Sequence, residues 1–145
     1  MEAELPSASA RHGSVVRMKG RLDRVDNRDG VVHILDLKTG KVDDRGLRIT
    51  EISIEALQGD KGYAAQLLVY AWLWFSANPG TEALRVGLLP LQKGSASEGL
   101  YLNVDGKDRI TRSMMPALTA VLESTVAAML EPERIFQHDP TTGAA

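Results

Sequence analysis

Asp36 and Lys38 stand two residues apart in the segment ILDLKTGK, which runs from Ile34 to Lys41. The apolar residues around them are typical of a β-strand, and a strand points side chains i and i+2 to the same face. The two charged groups are therefore predicted to lie side by side on one surface. Charged groups within a sheet are costly unless they are paired, solvated or bound to a metal ion.

A predicted hairpin brings a second aspartate to the same place. The dipeptide Asp-Gly at residues 29–30 separates this strand from a preceding one that carries Asp23, and Asp-Gly is a strong signal for a two-residue hairpin loop. With that loop, Asp23 falls directly opposite Asp36, and Arg21 falls opposite Lys38. A four-residue loop would leave the two carboxylates as diagonal neighbours on the same face. Carboxylates placed this way repel each other, so a positive group should lie between them.

Two interpretations of these charges remain open. In the first, Arg21 reaches Asp36 and Lys38 reaches Asp23, which gives a neutral lattice of ion pairs on a solvated face. In the second, the two carboxylates bind a divalent metal ion. Mg²⁺ suits such a site because it accepts one or two carboxylates, keeps several waters and shares phosphate oxygens. A lysine beside the ion could then polarise a bound water or stabilise negative charge in a transition state.

The order of the predicted elements indicates one α/β or α+β domain with a mixed sheet. We expect a mobile leader over residues 1–13, the folded domain over residues 14–131 and a tail over residues 132–145. Asp60 is a plausible N-cap for the first helix, which is apolar nearly all round and should be buried. The predicted strands cover residues 14–26, 31–38, 82–92 and parts of 100–112, and the predicted helices cover 60–77 and 113–130.

The composition excludes several classes of protein. The chain has 145 residues and a formal net charge of −2, so it lacks the basic field of many nucleic-acid-binding proteins. It contains no cysteine, which excludes disulfides, iron–sulfur clusters and thiolate zinc sites. Its longest apolar run is far shorter than the roughly 20 residues that span a bilayer. We expect a cytoplasmic protein without a membrane partner.

Three sequence motifs, taken in order, resemble a known family. The segments GRLDRVD (residues 20–26), ILDLKTGK (34–41) and QLLVY (66–70) resemble the C-terminal nuclease domain of RecB- and AddB-type helicase–nucleases, within the PD-(D/E)XK nuclease superfamily. That family has a G-x-[IL]-D-R-x-D strand, a D-x-K-T-G strand and a Q-x-x-x-Y helix. The resemblance implies a restriction-endonuclease-like fold, with a central mixed sheet flanked by helices, and hydrolysis of DNA.

The resemblance also implies roles for individual residues. Asp23 and Asp36 would be metal ligands, together with the backbone carbonyl of Leu37, and Lys38 would be the catalytic lysine. The metal would be Mg²⁺ or Mn²⁺.

Three further residues would support this site or contact DNA, namely Gln66, Tyr70 and Arg21. The i, i+4 spacing of Gln66 and Tyr70 places both on one helix face. A glutamine that hydrogen bonds within the core and a tyrosine that only packs there are the alternative.

The sequence departs from the family pattern in two respects. In the family an upstream helix supplies a histidine or acidic residue to the metal site, whereas only a short leader precedes the first strand here. His12, His33 and His138 offer no convincing replacement. The cysteines that bind an iron–sulfur cluster in many family members are also absent. We therefore expect an incomplete domain that alone cleaves DNA weakly and acts within a larger helicase–nuclease chain or complex, or as a homo-oligomer.

The function expected from the sequence is thus that of a Mg²⁺-dependent deoxyribonuclease module in recombination repair. Two alternatives remain. One is a non-catalytic DNA-binding or scaffolding module that keeps the nuclease fold. The other is a small α/β protein-interaction domain whose charges form the ion-pair lattice.

Overall fold

The computed structural model describes residues 2–6, 15–40, 42–91 and 99–130 of the chain, and the structural statements below concern these residues. The strands are β1 (Glu2–Pro6), β2 (Val15–Lys19), β3 (Arg24–Arg28), β4 (Val31–Lys38), β5 (Arg48–Ile49), β6 (Ala83–Pro90), β7 (Leu100–Tyr101), β8 (Asn103–Val104) and β9 (Ile110–Thr111). The helices are α1 (Gly62–Ala77) and α2 (Met115–Leu130), and short 3-10 turns lie at Asp44–Leu47, Glu55–Leu57 and Arg112–Met114.

The central sheet is mixed, as expected from the sequence. Its strand order is β3-β4-β6-β7, and β9 also pairs with β6. Strands β4 and β6 are parallel, so the chain must cross over between them, and α1 lies in that crossover. The strands β3 and β4 form an antiparallel hairpin in which Arg28 pairs with Val31, which confirms the predicted two-residue loop. Both loop residues have positive φ angles, 53° at Asp29 and 80° at Gly30, as this turn requires.

The middle strand β4 is buried on both faces of the sheet. Ile34 and Val86 face the main hydrophobic cluster, whereas Leu35 is buried outside that cluster. Alternate side chains of a strand point to opposite faces, so His33 and Leu35 lie on the face opposite Ile34 and Asp36. Burial on both sides explains why the strand carries apolar residues on both of its faces.

Helix α1 provides most of the core on the Ile34 face. Its buried residues include Leu67, Ala71 and Leu73, and Leu118 of α2 joins the same cluster. The indole Nε1 of Trp72 donates a hydrogen bond to Thr119 Oγ1 at 3.1 Å, which links the two helices. Neither described helix is long and apolar enough to cross a membrane.

The end of α1 is fixed by one arginine side chain. The guanidinium of Arg112 donates hydrogen bonds to the carbonyl oxygens of Phe75, Asn78 and Thr81 at 2.7–3.2 Å. Basic side chains near a helix C-terminus satisfy carbonyl groups that have no partner within the helix. The other end differs from the prediction, because α1 begins at Gly62 and its N-cap residue is Lys61, with no side-chain cap. Asp60 lies too early in the chain to be the N-cap.

The predicted strand over residues 14–26 is wrong, because the chain forms two strands there. Strand β2 pairs with β1 in a separate two-stranded sheet, and β3 pairs with β4. Residues 20–23 between them pass close to α1, where a Cβ atom on Gly20 would lie 2.5 Å from Leu73 Cδ1. The strand Glu2–Pro6 lies within residues 1–13, and the leader predicted for those residues stays a prediction. The predicted tail, His12 and His138 lie outside the described residues.

We predict that Gly20→Ala destabilises the fold by about 1–3 kcal/mol, because the added methyl group overpacks a closed contact. Leu73 is fully buried, so its side chain cannot move away freely. Equilibrium unfolding in urea measures the change. Gly80→Ala is the matched control, since a Cβ at Gly80 meets no atom within 4 Å. Equal losses of stability in both variants would contradict the close contact at Gly20.

Candidate active site

Asp36 and Lys38 lie near the end of β4, on the face that α1 covers. Asp36 is only 5% exposed. An aspartate side chain is charged at neutral pH unless its environment raises its pKa strongly. The Nζ atom of Lys38 lies 2.7 Å from Asp36 Oδ2. This contact is an ion pair, and Oδ2 is buried with no hydrogen-bond partner among the described residues. The oxygen therefore keeps unused capacity to bind a cation.

Asp23 approaches Asp36 from the residues just before β3. Its Oδ2 atom accepts a hydrogen bond from the backbone N–H of Leu37 at 3.0 Å. The neighbouring Asp36 carboxyl, followed by the hydrogen bond from Leu37, lowers the pKa of Asp23. Burial raises the pKa of the Asp36 carboxyl, and Asp23 raises it further, while the Lys38 ammonium opposes both effects. Two facing carboxylates of this kind are stable together only with a proton or another cation between them.

The charges do not form the predicted cross-strand lattice. Arg21 precedes β3 and lies outside the β3–β4 ladder, whose first pair is Arg24 with Leu35, so it does not lie opposite Lys38. Lys38 instead contacts Asp36 on its own strand. Arg21 is exposed, and its positive charge contributes to the lowered pKa of Asp23.

Gln66 and Tyr70 of α1 are joined to each other beside these charged groups. Gln66 Nε2 donates a hydrogen bond to the Tyr70 hydroxyl at 3.0 Å. Burial raises the pKa of Tyr70, and the negative charge of Asp36 raises it further. The Tyr70 hydroxyl therefore lies close enough to the carboxylates for their charge to affect its pKa. The glutamine has its partner within this helix, which satisfies the hydrogen bonding that its apolar surroundings require.

Tyr63 is a site residue that the sequence motifs did not indicate. The Lys38 ammonium lies over its ring, 4.9 Å from the ring centroid, within the usual range of a cation–π interaction. Tyr63 is 41% exposed and lies one helical turn before Gln66. The spacing of residues 63, 66 and 70 along one helix face was the available signal. The two tyrosine rings and Asp36 thus border the lysine from different directions.

The residues fit a magnesium-type ion that retains much of its water. The donors are hard carboxylate oxygens, and one of them is buried without a hydrogen-bond donor. Within the described part of the chain, no group of three or more His, Cys, Asp or Glu residues could hold a metal ion. Mg²⁺ is commonly bound by one or two carboxylates, waters and substrate phosphates, and two aspartates match that kind of site. The roles of Asp23, Asp36 and the Leu37 carbonyl as ligands stay predictions.

Comparison with known proteins gives one match. The family model that describes the PD-(D/E)XK nuclease superfamily matches residues 1–142. No curated protein and no solved structure matches the chain.

We predict that Asp36→Asn stabilises the metal-free protein at neutral pH, by about 0.5–2 kcal/mol, because it removes a buried charge without changing the side chain's shape. The folded-state pKa of Asp36 is raised above its unfolded value. The destabilising effect of its charge is therefore absent below the unfolded-state pKa, grows as the pH rises above that value, and is complete above the folded-state pKa. The difference in Tm between variant and parent, measured in EDTA, should be largest near neutral pH and shrink on acidification.

Asp43→Asn is a control of opposite sign. The Arg45 side chain lowers the pKa of the exposed Asp43 to about 2, so its favourable contribution is present at neutral pH and is lost as the pH falls. This variant should not gain stability in EDTA. A loss of stability in Asp36→Asn equal to or greater than that in Asp43→Asn would show that the ion pair with Lys38 outweighs the cost of burying Asp36.

Proposed function

Because the chain belongs to the PD-(D/E)XK nuclease superfamily, we propose that it hydrolyses phosphodiester bonds of DNA with the help of Mg²⁺ or Mn²⁺. The observation that carries this proposal is the cluster of Asp23, Asp36 and Lys38, in which two carboxylates and an ammonium meet at the end of one strand. A divalent ion would balance the negative charge of the two carboxylates. When bound, it would polarise a phosphoryl oxygen and activate water.

The two aspartates and the helix supply binding and orientation. Asp36 would hold the ion from within the sheet, while the hydrogen bond from Leu37 N–H fixes Asp23 in position against it. The carbonyl of Leu37 is the third proposed ligand. The Gln66–Tyr70 pair closes the helix side of the site and limits the water that reaches it. Arg21, which is exposed beside Asp23, is placed to attract a phosphate of the DNA backbone.

Lys38 acts in this proposal as a positive charge rather than as a base. The Asp36 carboxylate raises the pKa of the Lys38 ammonium, so the lysine stays protonated at neutral pH. A protonated lysine can donate hydrogen bonds to the negative charge that develops on the phosphoryl oxygens during hydrolysis. It cannot accept a proton from the attacking water.

We propose further that the domain is the nuclease module of a RecB- or AddB-type helicase–nuclease in recombination repair. The support is the order of the motifs GRLDRVD, ILDLKTGK and QLLVY along the sequence. Two aspartates alone hold Mg²⁺ weakly, so a further ligand from the rest of a larger chain, a partner subunit or a second copy would strengthen binding. Without that ligand the chain should need millimolar metal ion and cleave slowly.

The roles of Asp36 and Lys38 are separable by substitution. We predict that Asp36→Ala abolishes both Mn²⁺ binding and DNA cleavage, because it removes a ligand. Lys38→Ala should lower cleavage by on the order of 100-fold or more, which is typical for loss of one transition-state donor. Its Mn²⁺ affinity should be unchanged or slightly higher, because a positive charge next to the ion is removed. Calorimetry with Mn²⁺ and cleavage of linear and single-stranded DNA measure the two effects.

Exposed Asp44→Ala is the control, and it should change neither property. Undiminished Mn²⁺ binding by Asp36→Ala would show that Asp36 is not a ligand. DNA binding in EDTA together with no cleavage at any Mn²⁺ concentration would favour a non-catalytic DNA-binding module.

Tyr63 should position the Lys38 ammonium through its ring face. We predict that Tyr63→Leu lowers kcat/KM for cleavage about two- to fivefold, the effect of losing a partly exposed cation–π contact. Tyr63→Phe keeps the ring and should cleave like the parent, and neither variant should change Mn²⁺ affinity. Equal losses in both variants would mean that the hydroxyl group, and not the ring face, is what matters.

A further inference from the structure

A second cluster of charged groups lies on the face of the sheet opposite the candidate active site. His33 of β4 pairs in register with Arg85 of β6, and both belong to the face that points away from Asp36. These two residues line a cleft of about 350 Å³ together with Arg28, Asp108 and Arg109, which we call the arginine pocket. The cleft also includes Asp29 of the hairpin turn and Val31, the first residue of β4. None of these side chains takes part in the proposed hydrolysis.

Arg85 lines the arginine pocket and contacts two neighbouring side chains. Its guanidinium carbon lies 3.7 Å from the centroid of the Tyr101 ring, and one terminal nitrogen contacts Asp108 Oδ2 at 2.7 Å. The Tyr101 hydroxyl in turn is 2.8 Å from His33 Nδ1. The Nε atom of Arg85 is buried with no hydrogen-bond acceptor. The fork of N–H groups is thus fixed in orientation, and the acceptors of the described residues do not use all of it.

The charges around the pocket leave an excess of positive charge. Three arginines line it against the two aspartates Asp29 and Asp108. Arg28 also contacts Asp26 at 3.1 Å, whereas Arg109 is exposed and has no carboxylate partner within the described part of the chain. Burial lowers the pKa of His33, and the positive charges of Arg85 and Arg28 lower it further. The imidazole is therefore neutral at pH 7, and the nearby positive charges disfavour its protonation.

We propose that the arginine pocket binds a phosphate group. A guanidinium binds phosphate oxygens through its N–H groups, and here its plane is set in advance by Tyr101 and by Asp108, which contacts one of its terminal nitrogens. Arg109 and Arg28 stand at the rim of the same cleft and can contact the remaining oxygens. The cleft is large enough for one phosphate with part of its substituent. The phosphate could belong to a nucleic-acid backbone or to a small phosphate ester, because both present the same oxygens.

The proposal does not depend on the metal site, so its test is made in EDTA. Inorganic phosphate and a single-stranded oligonucleotide are titrated separately into the whole chain at constant ionic strength, set with sodium chloride. The imidazole resonances of His33 report occupancy, and variants His12→Gln and His138→Gln assign them by elimination. We expect at least one of the two ligands to shift the His33 resonances saturably. Shifts with phosphate alone would indicate a small ester, and shifts with the oligonucleotide would indicate a nucleic-acid backbone.

Arg85→Gln and Arg109→Gln should each weaken the binding about tenfold, as loss of a hydrogen bond between charged groups does. For the oligonucleotide, Arg109→Gln should also reduce the slope of log affinity against log salt by about 0.7. Because Arg109 is exposed, its variant should fold even if Arg85→Gln does not. Arg45→Gln is the charge-matched control, since Arg45 is exposed and does not line the pocket. No His33 shift with either ligand, or equal weakening by Arg45→Gln, would overturn the proposal.

Discussion

The buried carboxylate of Asp36 is the constraint around which the described structure is arranged. It stands in the middle strand of the sheet, it faces a second carboxylate, and one of its oxygens has no hydrogen-bond donor. A folded protein keeps such a group only where the surrounding structure holds it in place. Here β3 and β6 pair with β4 on both sides, and α1 covers the same face. The ion pair with Lys38 only partly offsets the cost, so binding of a cation by this group would also stabilise the fold.

Helix α1 contributes residues both to the hydrophobic core and to the candidate active site, from different faces. Leu67, Ala71 and Leu73 pack into the hydrophobic cluster, while Tyr63 and Tyr70 lie beside Lys38. The helix cannot rotate to improve one set of contacts without disturbing the other. Its position is fixed further by the hydrogen bonds from Arg112 at its C-terminal end and by the close passage of Gly20. The geometry of the site therefore depends on packing more than ten residues away in sequence.

Local signals allowed the centre of this fold to be predicted, and long-range contacts decided the rest. The Asp-Gly turn fixes the β3–β4 register, because two-residue hairpin loops have a defined geometry. No local signal predicted the break between β2 and β3, because it depends on the close contact of Gly20 with α1. The contact between Tyr63 and Lys38 joins a helix to a strand and could only be guessed from helix periodicity. The pairing of Arg85 with Asp108 likewise needs the positions of β6 and β9.

The formal net charge of −2 conceals a separation of charge across the sheet. On one face, the carboxylates of Asp23 and Asp36 are accompanied by the positive charges of Lys38 and Arg21, so that face carries no excess of positive charge. On the other face, three arginines meet two aspartates, so that face has positive charge in excess. Because the two groups stand on opposite sides of β4, they cannot neutralise each other directly, and the hydrophobic layer between them is poorly screened by salt. The proposed metal site and the proposed phosphate site therefore lie on opposite faces of the sheet, and the overall charge predicts neither.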